Sequence, residues 1–253
     1  MLRVERHRLI LKLLEADATV SIADFLCQLE VTPMTLWRDL RHLEEMKQLV
    51  RIRGGAMRAD AEKEPRFESK LDSAAGAKRR IAEYAATNLI KDGDIISLEG
   101  GTTVAALAER LKHQRLKVLT NSLPVLNRVA KSECRPTIYT CGGLYREESG
   151  TFVGAEATTF YSRRKTTTFF MSATGIDELA GITDPNPQEI EVKQSMLNQA
   201  GRVVLLADRS KIKQVSFMEI APMRRIHVLV TERDTPVDSL EWVHKHGTRL
   251  VKV

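Results

Sequence analysis

Apolar residues at helical spacing open the chain. Leu9, Ile10, Leu13 and Leu14 predict one amphipathic helix, and Ile22, Phe25, Leu26 and Leu29, at i, i+3, i+4 and i+7, predict a second. Ser21 and Asp24 form an S-x-x-D start signal for that second helix, in which side-chain oxygens serve the unpaired N–H groups of a first turn. After a short connection at Glu30 and Val31, Thr32 is expected to cap a third helix and Pro33 to take its first position, where a missing N–H costs nothing. Leu36, Leu40 and Leu43 form the apolar stripe of this third helix.

The period then changes. Leu49 to Ala56 reads as a short hairpin, with Gly54 and Gly55 supplying the positive φ of a tight turn. From Arg58 to Ala75 periodicity fades, which predicts a linker (58–75) between a first domain, 1–57, and a second, 76–253. In the second, β-branched and apolar runs alternate with helical patterns: Ile95 to Leu98, Val118 to Thr120, Thr137 to Tyr139, Thr168 to Met171, Val203 to Ala207 and Val228 to Val230. Such alternation predicts a Rossmann-like α/β domain, a mainly parallel sheet with helices on both faces. No internal repeat or low-complexity segment interrupts it.

Composition removes several classes of protein. No apolar run approaches the roughly 20 residues of a membrane helix, and the charged start lacks a secretory signal, so the chain is expected in the cytoplasm without a membrane partner. Cys27, Cys134 and Cys141 are too few and scattered for a disulfide framework or a zinc site, and neither metal nor cofactor is expected. The net charge of +6 suits a polyanionic partner without requiring one.

The distribution of charge says more. At about 100° per residue, Met34, Arg38 and Arg41 point away from the stripe of the third helix, with Thr32 at its start and Thr35 and Trp37 on its flanks. In a helix-turn-helix this face enters the major groove, where Arg pairs with guanine and a Thr or Met methyl packs on thymine. Read alone, the same helix is equally a surface helix with solvated charges. From Lys47 to Arg58, Lys47, Arg51, Arg53 and Arg58 are basic and no residue is acidic, so the hairpin makes a phosphate-contacting wing, while Glu44 and Glu45 are expected away from the DNA backbone.

In the second domain Glu99, Gly100, Gly101, Thr102 and Thr103 fall between a predicted strand and a predicted helix, where glycines admit a phosphate and hydroxyls can hold it. By itself such a loop is often plain turn chemistry. Three further strand ends, at Asn121 and Ser122, at Gly142 and Gly143, and from Ser172 to Asp177, fall along the same sheet edge, where open α/β folds bind ligands.

These motifs together resemble the DeoR family of bacterial transcription regulators. Val31 to Leu40, Leu43-Glu44 and Arg51 to Ala56 are similar to V-S-x-x-T-I-R-R-D-L, L-E-x-x-G and R-x-H-G-G of that family's winged helix-turn-helix. The later motifs, with Ala207 to Lys211, resemble L-D-x-G-T-T, T-N-S, G-G, G-I-D and A-D-x-S-K of its sensor domain, so the likeness spans nearly the whole chain. Departures are Trp37 for an arginine, Lys47 for a glycine, Arg53 for a histidine and Glu99 for an aspartate. Trp37 is read either as a DNA contact or as a packing residue. The resemblance implies a sensor folded like ribose-5-phosphate isomerase, double-stranded operator DNA and a phosphorylated sugar effector as partners, a homo-oligomer (dimer or tetramer), and repression relieved by the sugar. It implies that Gly101, Thr102 and Thr103 cradle phosphate, that Asn121, Ser122, Gly142 and Gly143 line the crevice, and that Asp177, Lys193 and Lys211 meet hydroxyls or phosphate. The two lysines are otherwise ordinary solvated charges. Asp177, Glu178 and Lys193 are types that an aldose–ketose isomerase uses, yet the isomerase's D-G-A-D-E run is absent, and no catalytic residue is expected.

Overall fold

The computed structural model describes residues 3–16, 19–29, 31–46, 48–52, 54–58, 66–113 and 115–253. The chain divides into two units, Met1–Pro65 and Arg66–Val253.

The first unit contains α1 (Arg3–Ala16), β1 (Thr19–Ser21), α2 (Ile22–Leu29), α3 (Pro33–Glu45), β2 (Leu49–Ile52) and β3 (Gly55–Arg58). Its core is one cluster in which Ile10 and Leu14 of α1, Phe25 and Leu29 of α2, and Leu36, Leu40 and Leu43 of α3 are buried. Each helix therefore turns in the face that its spacing predicts. The caps form as well: Asp24 N donates to Ser21 Oγ at 3.1 Å, and Thr35 N to Thr32 Oγ1 at 3.3 Å. β2 and β3 make the antiparallel hairpin, with Gly54 at φ +90°. Unforeseen is β1, which pairs with β3 to give a three-stranded sheet of order β1-β3-β2. Gly55 is required there, because a Cβ would run into the Val20 carbonyl oxygen.

The second unit starts with α4 (Phe67–Leu71) and α5 (Ala75–Asn88), so residues 66–75 of the expected linker belong to it, and 59–65 lie outside the described residues. There follow β4 (Ile95–Leu98), α6 (Thr102–Ala108), β5 (Lys117–Thr120), α7 (Leu123–Ala130), β6 (Thr137–Thr140), β7 (Leu144–Arg146), β8 (Thr151–Val153), α8 (Ala155–Ser162), β9 (Thr166–Met171), β10 (Gly175–Asp177), β11 (Gly181–Asp184), α9 (Pro187–Gln199), β12 (Ala200–Leu206), β13 (Met218–Ala221), β14 (Val228–Thr231) and β15 (Arg249–Lys252). A seven-stranded sheet has the order β15-β14-β12-β9-β4-β5-β6, and every pairing in it is parallel.

Strand alternation divides the apolar side chains between two cores. Ile96, Leu98, Phe170, Val204, Leu206, Val228 and Val230 pack with α5, α6 and α7, whereas Leu119, Phe169, Met171, Val203, Leu205 and Leu229 pack with α8 and α9. A sheet covered on both faces reads as continuous apolar runs, as these strands do. From β4 the chain goes outward to β5 and β6, and then returns through β9, β12, β14 and β15 on the other side. The direction of winding thus reverses between β4 and β9, and it is at the carboxyl ends of strands at such a reversal that open α/β folds bind ligands.

Candidate functional site

In the first unit α3 presents the expected face. Met34 is 83% exposed and Trp37 40%, and Arg38 and Arg41 are exposed, while Thr35 is half-buried and bonded to the capping Thr32 through its hydroxyl at 2.9 Å. Trp37 therefore stands on the surface of its unit and is not a core residue.

What orients this face is Asp39, one residue from Arg38 and 1% exposed. Arg6 of α1 donates to it through Nε at 2.7 Å and Nη2 at 3.2 Å, and His7 Nε2 lies 3.2 Å from Oδ1. Burial pushes the Asp39 carboxyl up, but the bonds from Arg6 and His7 outweigh it and hold the group below its ordinary range. Sequence reading assigned Asp39 no role, since its partners lie on another helix.

One charge of the wing is paired within the unit: Arg51 donates to Glu44 through its backbone N at 3.0 Å and its Nε at 2.6 Å. These bonds hold the Glu44 carboxyl below its ordinary range, the backbone bond contributing most. Arg51 is thus a positioned arginine whose charge is partly offset. Arg53 lies outside the described residues.

In the second unit, Glu99 follows β4 at the reversal of winding and is buried, at 2% exposure. Oε1 accepts from Gly101 N at 2.8 Å, Ser172 N at 2.9 Å and Ser172 Oγ at 2.7 Å, so Glu99 ties the end of β4 to the end of β9. Oε2 lies 3.1 Å from Lys193 Nζ, which also bonds Asp184 Oδ2. Thr174 Oγ1 donates to the other Asp184 oxygen at 2.6 Å. Burial by itself would lower the Lys193 ammonium, but Asp184, Glu99 and Glu189 together raise it, so it stays charged. Lys193 is no solvated surface charge.

Around this cluster the glycines leave no room for side chains. A Cβ on Gly100 would overlap Thr151, one on Gly101 would overlap Ser172 and Glu99, and Gly143, at φ +127°, is closed by the Val153 carbonyl. Gly142 is unconstrained. Thr103 is buried and Thr102 half-buried at the start of α6. Asn121 donates to the Phe152 carbonyl at 3.1 Å, but its buried Oδ1 has no partner among the described residues. Ser122 is spent on the cap of α7, accepting from Val125 N at 3.3 Å. Asp177 serves a turn, its Oδ1 accepting from Leu179 N at 2.9 Å and Ala180 N at 3.0 Å. Lys211 is half-buried at the end of β12, beyond Asp208, and forms no ion pair among the described residues.

Asp184, Glu189 and Lys78 are buried groups that escaped sequence reading. Glu189 accepts from Ser149 Oγ at 2.6 Å, Thr151 Oγ1 at 2.5 Å and Arg146 Nη1 at 2.9 Å. Glu189 and Lys193, four apart on α9, look like a solvated helix pair, and only the partners from other elements reveal a buried one.

A winged helix-turn-helix with a basic exposed recognition face, joined to an α/β unit with a buried polar cluster at its switch point, defines a class: ligand-responsive DNA-binding regulators. Residues 6–62 match the DeoR-like helix-turn-helix domain and 73–233 the DeoR C terminal sensor domain. The chain belongs to the DeoR family of transcription regulators. It is 32% identical to the lactose phosphotransferase system repressor of Staphylococcus epidermidis over 92% of this chain and 94% of that protein. Against the transcriptional repressor GlcR of Bacillus subtilis it is also 32% identical, over 99% and 96% of the two chains. A putative aga operon repressor of Escherichia coli O157:H7 is 29% identical over 98% and 93%. Among solved structures, the ribose 5-phosphate isomerase of Methanocaldococcus jannaschii aligns with 55% of this chain and 55% of its own at 17% identity and a TM-score of 0.40. Membership in this family makes the chain a transcription factor rather than an enzyme. Among the described residues no helix is long and apolar enough to cross a membrane.

Proposed function

We propose that the chain represses a carbohydrate operon and that a phosphorylated sugar in the crevice lowers its affinity for operator DNA. The observation that carries the reading is the α3 face: Leu36, Leu40 and Leu43 are buried while Met34, Trp37, Arg38 and Arg41 face solvent. On this reading Arg38 and Arg41 reach base edges, Met34, Thr35 and Trp37 pack in the groove, Thr32 lies at the groove entrance, and Arg51 with Arg53 meets phosphate.

The crevice supports the effector half. Glu99, Asp184 and Glu189 offer acceptors for sugar hydroxyls, and the unpartnered Asn121 Oδ1 invites another donor. Thr102, Thr103 and Lys211 then take the phosphoryl group, with open space beside Gly142, while Gly100, Gly101 and Gly143 let the surrounding backbone close up. The relatives named above are repressors of sugar-related systems, which favours the same assignment. Two copies of this chain, as a dimer or within a tetramer, would read paired half-sites.

Fluorescence anisotropy of the purified protein on DNA upstream of its own operon tests both halves. Affinity is expected to fall steeply with salt and to drop when the correct phosphorylated sugar is added. Salt-insensitive binding, or indifference to every phosphorylated sugar, would sink the corresponding half.

A further inference from the structure

The two units are joined through residues 59–65, and the first element beyond them is α4. Within the second unit α4 is held in four ways. Phe67 is buried in the core beneath α5 and α6, its N–H donates to the Glu148 carbonyl at 2.7 Å, and the Arg128 guanidinium lies 5.7 Å from its ring centre. At the other end of the helix, Lys78 of α5 donates from Nζ to the Lys70 carbonyl.

That fourth contact is chemically odd. Lys78 is 6% exposed, yet no carboxylate forms an ion pair with it among the described residues. Lys193, equally buried, has two. A buried ammonium whose partner is a neutral carbonyl is poorly compensated, so an anion brought beside it is stabilised. Burial pushes the Lys78 ammonium down, with Asp208 opposing from a distance, and that carboxylate already accepts from Ser210 N at 3.0 Å.

Lys78 also lines a cleft of about 130 Å³, together with Thr102, Arg79, Arg128, Leu71 and Glu109. Arg128 and Glu109 neutralise each other there, at 2.7 Å. Lys78 and Arg79 leave the cleft an excess of positive charge, and it reaches Thr102 of the glycine-rich loop.

We propose that Lys78 is a phosphoryl-binding residue of the effector site, and that a bound phosphoryl group draws its ammonium away from the Lys70 carbonyl and so loosens α4. The proposal rests on the crevice reading above and extends it by naming a cation and an output. Occupancy would thereby change the restraint on the segment that leads to the DNA-binding unit, without needing a large movement of the sheet.

The test uses the full chain with inorganic phosphate as probe, at constant ionic strength against chloride. Affinity is read by titration calorimetry and α4 by amide hydrogen exchange. In the unaltered protein, phosphate should bind and speed exchange of the amides of α4. Lys78→Met should weaken phosphate roughly tenfold, the loss of one charge-assisted hydrogen bond, with α4 exchanging fast already and no longer responding. Lys78→Arg should keep the binding. Phosphate that binds without altering α4 exchange overturns the proposal on the unaltered chain alone, even if Lys78→Met fails to fold. Equal phosphate affinity in a folded Lys78→Met also overturns it, and either result leaves the crevice reading standing. If neither phosphate nor any phosphorylated sugar binds the unaltered chain, the crevice reading falls and this proposal with it.

Discussion

Asp39 of α3 accepts two hydrogen bonds from Arg6 of α1, at 2.7 and 3.2 Å, in a setting where the carboxylate is 1% exposed. The pair lies on the side of α3 opposite the exposed face, so it fixes the rotation of the helix that presents Arg38 and Arg41. Its contribution to function is orientation, since the Asp39 carboxylate is out of reach of any ligand.

Replacing Asp39 with Ala removes the buried carboxylate that Arg6 and His7 share, and breaking a buried pair from one side costs about 3–5 kcal/mol. Urea denaturation of the full chain should show that loss in the transition of the first unit, with operator binding lost in parallel. A change below about 1 kcal/mol would mean that the pair contributes no more than a surface ion pair.

Acid should act through the same carboxyl. Its native pKa lies below the ordinary 3.8, so the unfolded chain takes up the proton first as pH falls. The stabilisation is full above 3.8 and is lost as pH drops from there through the lowered native value. Asp39→Asn should flatten this part of the stability profile between pH 5 and pH 2, a range of about that width being set by the carboxylate values. An unchanged acid limb would remove Asp39 from the account.

Arg38 and the Arg51–Glu44 pair separate base reading from backbone contact. Arg38→Ala should cost ~1–3 kcal/mol on the operator and far less on random DNA, because a bidentate base contact is sequence-specific. Glu44→Gln should instead raise affinity for every sequence alike and steepen the salt dependence, because it removes the charge that offsets Arg51. Equal losses on both DNAs for Arg38→Ala, or no salt effect for Glu44→Gln, would contradict these roles.

At the crevice, Asn121 and Glu99 are expected to behave differently. Asn121→Ala deletes an oxygen that has no partner among the described residues, so affinity for a phosphorylated sugar should fall roughly tenfold, while the lost bond from Nδ2 to the Phe152 carbonyl costs the fold only about 1–3 kcal/mol. Glu99→Ala deletes the shared acceptor of Gly101, Ser172 and Lys193, so the fold itself should lose about 3–5 kcal/mol. Thermal unfolding with and without the sugar separates the two outcomes; an Asn121→Ala protein that binds normally would exclude that oxygen from the site.

Much of this molecule was legible from residue order. Spacing alone located α2 and α3 with their caps at Ser21 and Thr32, and the apolar runs located six of the seven parallel strands. β1, β15 and α4 were not seen: Thr19–Ser21 holds one apolar residue, Arg249–Lys252 holds two between two basic ones, and α4 spans five residues, so none displays an apolar run or a period.

Order along the chain determined which face of each helix and strand turns inward, and which motifs stand at the ends of strands, because burial repeats with the local period. Only the tertiary structure decided that Asp39 meets Arg6 across 33 residues and that Glu99 meets Ser172 across 73. A charged side chain carries no mark of its partner. Whether it is a solvated charge, a buried brace or a ligand contact is set by what packing brings within about 3 Å, the range of a hydrogen bond.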